Sequence, residues 1–243
     1  MRLHRRKGKN MNFKRSLVCI SLAALMCTSF VSCSSKESKV IKEPSDSSGV
    51  SADGRIAAQS GEAYISIIDA DSYIQYLGKN DDPVHNMLSY GAVVAPITGN
   101  GDYKVSLTTN TNGFRLETAG DENDDSVVPS GLSFMSLMIK DGETKFPDAV
   151  ITVKSIKVNG AEIPLAAKAY TSSDDGKDTR ANLYNEWTGG MIPKNARCIQ
   201  GKLHDASGSL ESFAPEYSSI VVNKDDFSSW TDVEVNFSVS GIK

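Results

Sequence analysis

Tyr73, Tyr76 and Tyr90 fall in one polar segment, Trp187 closes the run Tyr184-Asn-Glu-Trp187, and Trp230 stands just before the last alternating segment. Tyr and Trp rings lie flat against apolar C–H faces, and amide side chains beside them satisfy hydroxyls; together they suit a sugar ring. On that chemistry Tyr73, Tyr76 and Trp187 are expected to stack on a glycan. Gln75 and Asn185 are their expected hydrogen-bonding neighbours. Tyr103 and Trp230 are expected in the core.

Other chemistry is thinner. Asp121-Glu-Asn-Asp-Asp125 and Asp174-Asp-Gly-Lys-Asp178 are acidic loops. Asp121, Asp124, Asp125, Asp174 and Asp178 offer the hard oxygen ligands of a structural calcium, without the EF-hand spacing. Solvated loops of an acidic protein are the plainer reading. Catalysis is not expected. His85 and His204-Asp205 sit in loop contexts, no Gly-x-Ser-x-Gly elbow occurs, and the acids fall where water would reach them. No His or Cys spacing fits a transition metal, and no Gly-rich phosphate loop is present. No cofactor beyond calcium is expected.

The 243 residues carry 26 Lys+Arg against 30 Asp+Glu, a formal charge of −4, with 40% hydrophobic residues. That is an ordinary globular composition, unlike a disordered chain or a collagen. The average hides a split. Seven basic residues and no acid fall in 1–33; without them 19 Lys+Arg face 30 Asp+Glu, or −11. Such a body is not expected to bind nucleic acid.

The basic run from Arg2 to Arg15 leads into an apolar stretch from Leu17 to Met26. These are the charged and apolar regions of a secretory signal, too short for a membrane span. Met11 heads a compact version, so translation from Met11 is expected. Phe30-Val-Ser-Cys33 then resembles the bacterial lipoprotein signal, which makes Cys33 the expected lipidation site. Residues 1–32 are read as signal, and 33–62, rich in Ser, Gly and charge, as the lipidated cysteine and a flexible tether. The protein is then expected on the extracellular face of a bacterial membrane, held only by its lipid. Cys19, Cys27 and Cys33 belong to signal or anchor, so Cys198 has no disulfide partner inside the domain.

Residues 63–243 must position the aromatics, and they alternate with period two. Tyr103, Val105 and Leu107 share one parity, as do Val233, Val235, Phe237 and Val239. Ile151 and Val153 switch parity to Ile156 and Val158, which predicts a bulge near Lys154 and Ser155. Residues 132–139 are apolar on both parities and suit a central strand. Further strands are predicted over 63–70, 92–97 and 181–187. Asn100-Gly101, Asn112-Gly113 and Asn159-Gly160 are turn dipeptides, the last inside a clear hairpin. Short turns are expected in 72–77 and 81–88, and no long helix. The expected fold is all-β, a single two-sheet antiparallel β-sandwich of jelly-roll type, in a monomer.

Several pieces in order carry a resemblance. They are Ala63-Tyr-Ile-Ser-Ile-Ile-Asp-Ala-Asp-Ser-Tyr-Ile-Gln-Tyr76, Ile97-Thr-Gly-Asn-Gly-Asp-Tyr-Lys-Val105 and 131–142. They continue with Ile156-Lys-Val-Asn-Gly-Ala-Glu-Ile-Pro164, 180–185 and 233–241. Together they resemble the carbohydrate-binding-module-like β-sandwich domains of secreted and cellulosomal proteins of Clostridia, notably the Ruminococcus type. The resemblance implies non-catalytic binding of plant-type polysaccharide, usually β-glucan. Those relatives often place tryptophans where this chain has Tyr73, Tyr76 and Leu77. An adhesive surface sandwich that binds protein is the alternative, and would show dispersed aromatics or an apolar patch. An enzyme would need converging carboxylates or a Tyr/His/Lys constellation in a concave site.

Overall fold

The computed structural model describes residues 58–70, 75–76, 92–108, 110–111, 114–115 and 130–243. All of them belong to one compact unit, Glu43–Lys243. In chain order the strands begin with β1 (Glu62–Asp69), β2 (Gln75–Tyr76), β3 (Ala95–Pro96), β4 (Gly101–Thr108), β5 (Asn110–Thr111) and β6 (Phe114–Arg115). Then come β7 (Leu132–Ile139), one helical turn α1 (Gly142–Lys145), β8 (Val150–Val158), β9 (Ala161–Ile163), β10 (Lys168–Ala169) and β11 (Thr171–Ser172). The last are β12 (Thr179–Asn185), β13 (Arg197–Cys198), β14 (Gly201–Lys202), β15 (Tyr217–Ser218) and β16 (Asp232–Ser240).

The protein is all-β. The large sheet runs β14-β13-β11-β12-β7-β1-β2, with β3 also paired to β1; a second sheet runs β4-β16-β8-β9. Their pairings are antiparallel, while β10 and β15 form a short parallel pair. β16 buries Val233, Val235, Phe237 and Val239 and leaves the residues between them half-exposed, as a one-sided strand should. β7 lies between β1 and β12 and is buried on both parities, which is why 132–139 reads as continuously apolar. The bulge predicted near Lys154 is present: Val153 faces Phe237 and Ser155 faces Asn236, leaving Lys154 unpaired. Asn159 and Gly160, both with φ > 0, close the β8–β9 hairpin.

Two local expectations give way. In 92–97 only Ala95–Pro96 is strand, and Val93 makes an isolated bridge to Ser106, because Pro96 has no N–H to extend a ladder. In 181–187 the strand starts earlier and stops at Asn185, where a 3-10 turn, Glu186–Thr188, takes over. The packed region also begins before residue 63. Ala58 is buried in the core cluster, and Gln59 N–H donates to Glu62 at 2.8 Å. Residues 1–57, which hold the signal, Cys33 and most of the expected tether, lie outside the described residues.

One apolar cluster takes side chains from both large sheets. Ile65, Ile67, Met135, Leu137 and Leu183 come from one; Val105, Leu107, Ile156, Val235 and Phe237 come from the other. A buried polar bond ties the sheets together: Thr171 Oγ1 accepts Ile151 N–H at 2.8 Å. Arg197 is a second tie. It grips both carboxylate oxygens of Glu143 at 2.6 and 3.2 Å and donates through Nε to Ala149 O at 2.8 Å. Thr179 donates to the same carboxylate at 2.7 Å, so α1, β12 and β13 meet at one largely buried charge pair. Removing the cation strands the carboxylate and a carbonyl. Arg197→Met is expected to lower the unfolding free energy by about 2 kcal/mol, measured by urea titration. Arg197→Met/Glu143→Met should recover part of that loss.

Candidate functional site on the face of β1, β7 and β12

On the face turned away from Ile65, Leu137 and Ala181, three ranks cross β1, β7 and β12 in register. The first is Ile68, Phe134 and Asn185; the second Ser66, Ser136 and Asn182; the third Tyr64, Met138 and Arg180. Asn185 reaches this face through a bulge. Asn182 opposes Ser136 and Tyr184 opposes Met135, so Leu183 has no partner. One extra residue inverts the alternation downstream. Arg180 and Asn182 lie on the face before the bulge, and Asn185 lies on it after.

Asn185 is buried and its Oδ1 accepts Trp187 N–H at 3.1 Å, capping the 3-10 turn as an N-cap amide does. The turn holds Trp187 against Phe134, with ring centroids 6.2 Å apart and planes 28° from parallel. The indole is still 61% exposed. From the third rank Arg180 stretches back to the same ring, its guanidinium carbon 6.0 Å from the Phe134 centroid. Arg180 therefore passes over the middle rank, and it is ion-paired to the exposed Asp174.

A cavity of about 210 Å³ opens here, lined by Tyr64, Ser66, Phe134, Met138 and Arg180. Asp174, Asp175 and Asp178 form its acidic wall. Their loop is self-bonded. Asp175 Oδ1 accepts from Lys177 N–H at 2.8 Å and Asp178 N–H at 3.0 Å. Partial burial opposes the Asp175 charge, yet these amides and the Ser173 hydroxyl hold its carboxyl below the usual range. Asp178 accepts Asp141 N–H at 2.8 Å and meets Lys140 Nζ at 3.2 Å. In the middle rank, Asn182 Nδ2 donates to Tyr170 Oη at 3.3 Å, and that phenol donates to Met191 O at 3.2 Å. Burial raises the Tyr170 phenol above its ordinary value, against the Asn182 amide that steadies its anion.

No protein-family model, curated protein or solved structure matches this chain. The residues themselves must carry the reading.

Of the aromatics expected to stack, Trp187 is in this site. Asn185 is there too, but as the cap that sets the indole. Gln75 holds the register position beside Ile68 at the end of the first rank, and Tyr76 stands opposite Ile67. Tyr73, Tyr90, His85, Asp121, Asp124 and Asp125 lie outside the described residues. Trp230 and Tyr103 pack with the core as expected. The carboxylates of Asp174 and Asp178 serve Arg180, Lys140 and the Asp141 amide. Among the described residues no group of three His, Cys, Asp or Glu could hold a metal ion. His204 clasps a turn, its ring nitrogens 3.0 and 3.1 Å from the carbonyls of Gly208 and Ile192. Phe134, Arg180, Ser136 and Asn182 are site residues the sequence reading passed over. Their signal was a serine inside each of two apolar runs, Ile65-Ser-Ile67 and Met135-Ser-Leu137.

Proposed function

We propose that this chain is a non-catalytic, lipid-anchored cell-surface protein whose jelly-roll-like β-sandwich binds polysaccharide through the face that carries Trp187 and Phe134. The observation that supports this best is the indole of Trp187. It is held 61% exposed by a capped turn and by its stack on Phe134, a ring that itself lines the cavity. A large apolar ring fixed in water gains the fold little. A fixed ring loses little freedom when a sugar settles on it, which favours binding. The −11 charge of residues 34–243 suits a neutral glycan. The lipid on Cys33 and the extracellular location rest on the resemblance of Phe30-Val-Ser-Cys33 to a lipoprotein signal.

Affinity electrophoresis in soluble β-glucan, xylan and mannan tests the reading. The parent should be retarded in at least one gel. Trp187→Ala should weaken that retardation about tenfold, the worth of one stacking contact plus the area it covers. An unretarded parent, or a variant retarded like it, overturns the proposal. A protein partner is the second reading, favoured by exposed Met191 and Ile220 near Trp187. Met191 N–H bonds Thr188 O at 3.0 Å, and the Thr188 hydroxyl meets Ser219 Oγ at 2.7 Å, next to Ile220.

A further inference from the structure

Two polar groups on the walls of the cavity are left with bonds to make. Ser66, on β1, is 4% exposed and lines the cavity. Its hydroxyl makes no hydrogen bond among the described residues, and unlike Ser136 Oγ it is not shut off from the surface. Such a hydroxyl is an open donor and an open acceptor. Buried polar groups are seldom left without a partner, so this one calls for a group from outside.

The acidic wall supplies the second. Asp174 pairs with Arg180, and Asp178 pairs with Lys140. Asp175 meets no cation among the described residues. Its hydrogen bonds, from the Ser173 hydroxyl and from the Lys177 and Asp178 N–H groups, all fall on Oδ1. Oδ2 stays open, and the cavity keeps one negative charge without a counter-ion.

A ligand that answers both groups carries a positively charged donor and a hydroxyl close together. A primary ammonium offers three N–H donors, and a charged donor bonds a carboxylate about twice as strongly as a neutral one. The other walls are aromatic and thioether, at Tyr64, Phe134 and Met138, and they suit the C–H faces of a ring. At about 210 Å³ the cavity is smaller than the roughly 300–1,000 Å³ that holds a drug-sized ligand, so it suits one ring and not a chain. A carboxylated sugar would be repelled by Asp175, and a neutral one would leave the charge unmet.

Building on the polysaccharide reading above, we propose that this cavity takes one protonated amino-sugar unit, a chain end or a side branch, whose ammonium meets Asp175 and whose hydroxyl bonds Ser66. Trp187 carries a neighbouring unit outside.

The test is calorimetry on the intact chain in mildly acidic buffer, with glucosamine, N-acetylglucosamine, glucose and glucuronic acid, beside the polymer gels. Glucosamine should bind about fivefold more tightly than glucose, the worth of one exposed charge pair. Asp175→Asn is the decisive variant. Its amide oxygen still takes the loop's bonds, so the thermal midpoint should hold while the preference for glucosamine disappears. Ser66→Ala removes a hydroxyl that holds nothing in the free protein. It should leave the midpoint in place and weaken glucosamine binding about 3- to 10-fold, the worth of one hydrogen bond. Equal affinity for glucosamine and glucose, or a preference that survives Asp175→Asn, overturns the amino-sugar proposal. Gel retardation lost only in Trp187→Ala then leaves the surface reading standing. Glucosamine preferred by a chain that no polymer gel retards upholds the cavity and overturns the polysaccharide reading. A parent that binds no sugar and no polymer overturns both.

Discussion

Trp230→Ala lowers the free energy of unfolding by about 3–5 kcal/mol, the cost of emptying a large aromatic site in a core. Trp230 is 0% exposed and belongs to the cluster shared by the two large sheets. Its surroundings resist collapse. On one side the 3-10 turn Lys224–Phe227 buries Phe227, and Trp230 N–H bonds Phe227 O at 3.3 Å. On the other, Asn159 Oδ1 accepts Thr231 N–H at 2.7 Å and Asp232 N–H at 3.2 Å, pinning the start of β16 to the β8–β9 hairpin. Backbone held at both ends cannot close over the vacated volume, so the cavity term stays large. Trp230→Phe separates volume from polarity. Trp230 Nε1 has no hydrogen-bond partner, so phenylalanine loses some packing and also removes a buried N–H that nothing accepts. The expected order in urea titration is parent, then Trp230→Phe within about 2 kcal/mol, then Trp230→Ala well below. Equal losses in the two variants would mean that the indole bonds a group in solution.

The contrast between Trp230 and Trp187 shows how much was legible in the sequence. Period two in 233–239 and 103–107 is a local property of a half-buried strand, so β16 and β4 could be read without knowing their partners. The same holds for the parity break at Lys154 and for the Asn159-Gly160 hairpin. Trp230, just before such a strand, was correctly expected inside. The site depends on register between strands far apart in sequence. Ser66, Ser136 and Asn182 become one rank only after β1, β7 and β12 pair. The bulge at Leu183 leaves no mark in the run from Thr179 to Asn185, yet it decides that Asn185 shares a face with Phe134. Phe134 was read only as part of a central strand, because 132–139 carry apolar residues on both parities. Arg197 carried no expectation, since nothing local announces Glu143, 54 residues away, opposite it. Asn185 was expected beside a ligand; the structure shows its Oδ1 capping the 3-10 turn that follows it, a role set by a turn the sequence pattern did not announce.

Gly241→Ala is expected to cost about 2–5 kcal/mol, from a left-handed backbone of about 1–2 and a displaced neighbour of about 1–3. Gly241 follows β16 with φ +81°, and a methyl group there would stand 2.3 Å from Asp148 O and 3.2 Å from the Asp148 carbonyl carbon. Both are backbone atoms just before β8, so no side chain can swing aside. The alternative is for the last residues to leave. That breaks the two bonds between Asn100 and Ile242, 2.8 and 2.9 Å long, and lifts Ile242 off the core. The two responses differ in readout. A shifted Asp148 lowers the global unfolding free energy; a released terminus speeds amide exchange at Ile242 while most of the stability remains. Gly160→Ala supplies the control. Gly160 has nearly the same φ, +79°, but nothing lies within 4 Å of its would-be methyl. It should lose only the conformational cost of about 1–2 kcal/mol. The difference between the two substitutions then measures how firmly Asp148 is held against the end of β16. Equal losses would show that the β8 entry yields to the methyl group.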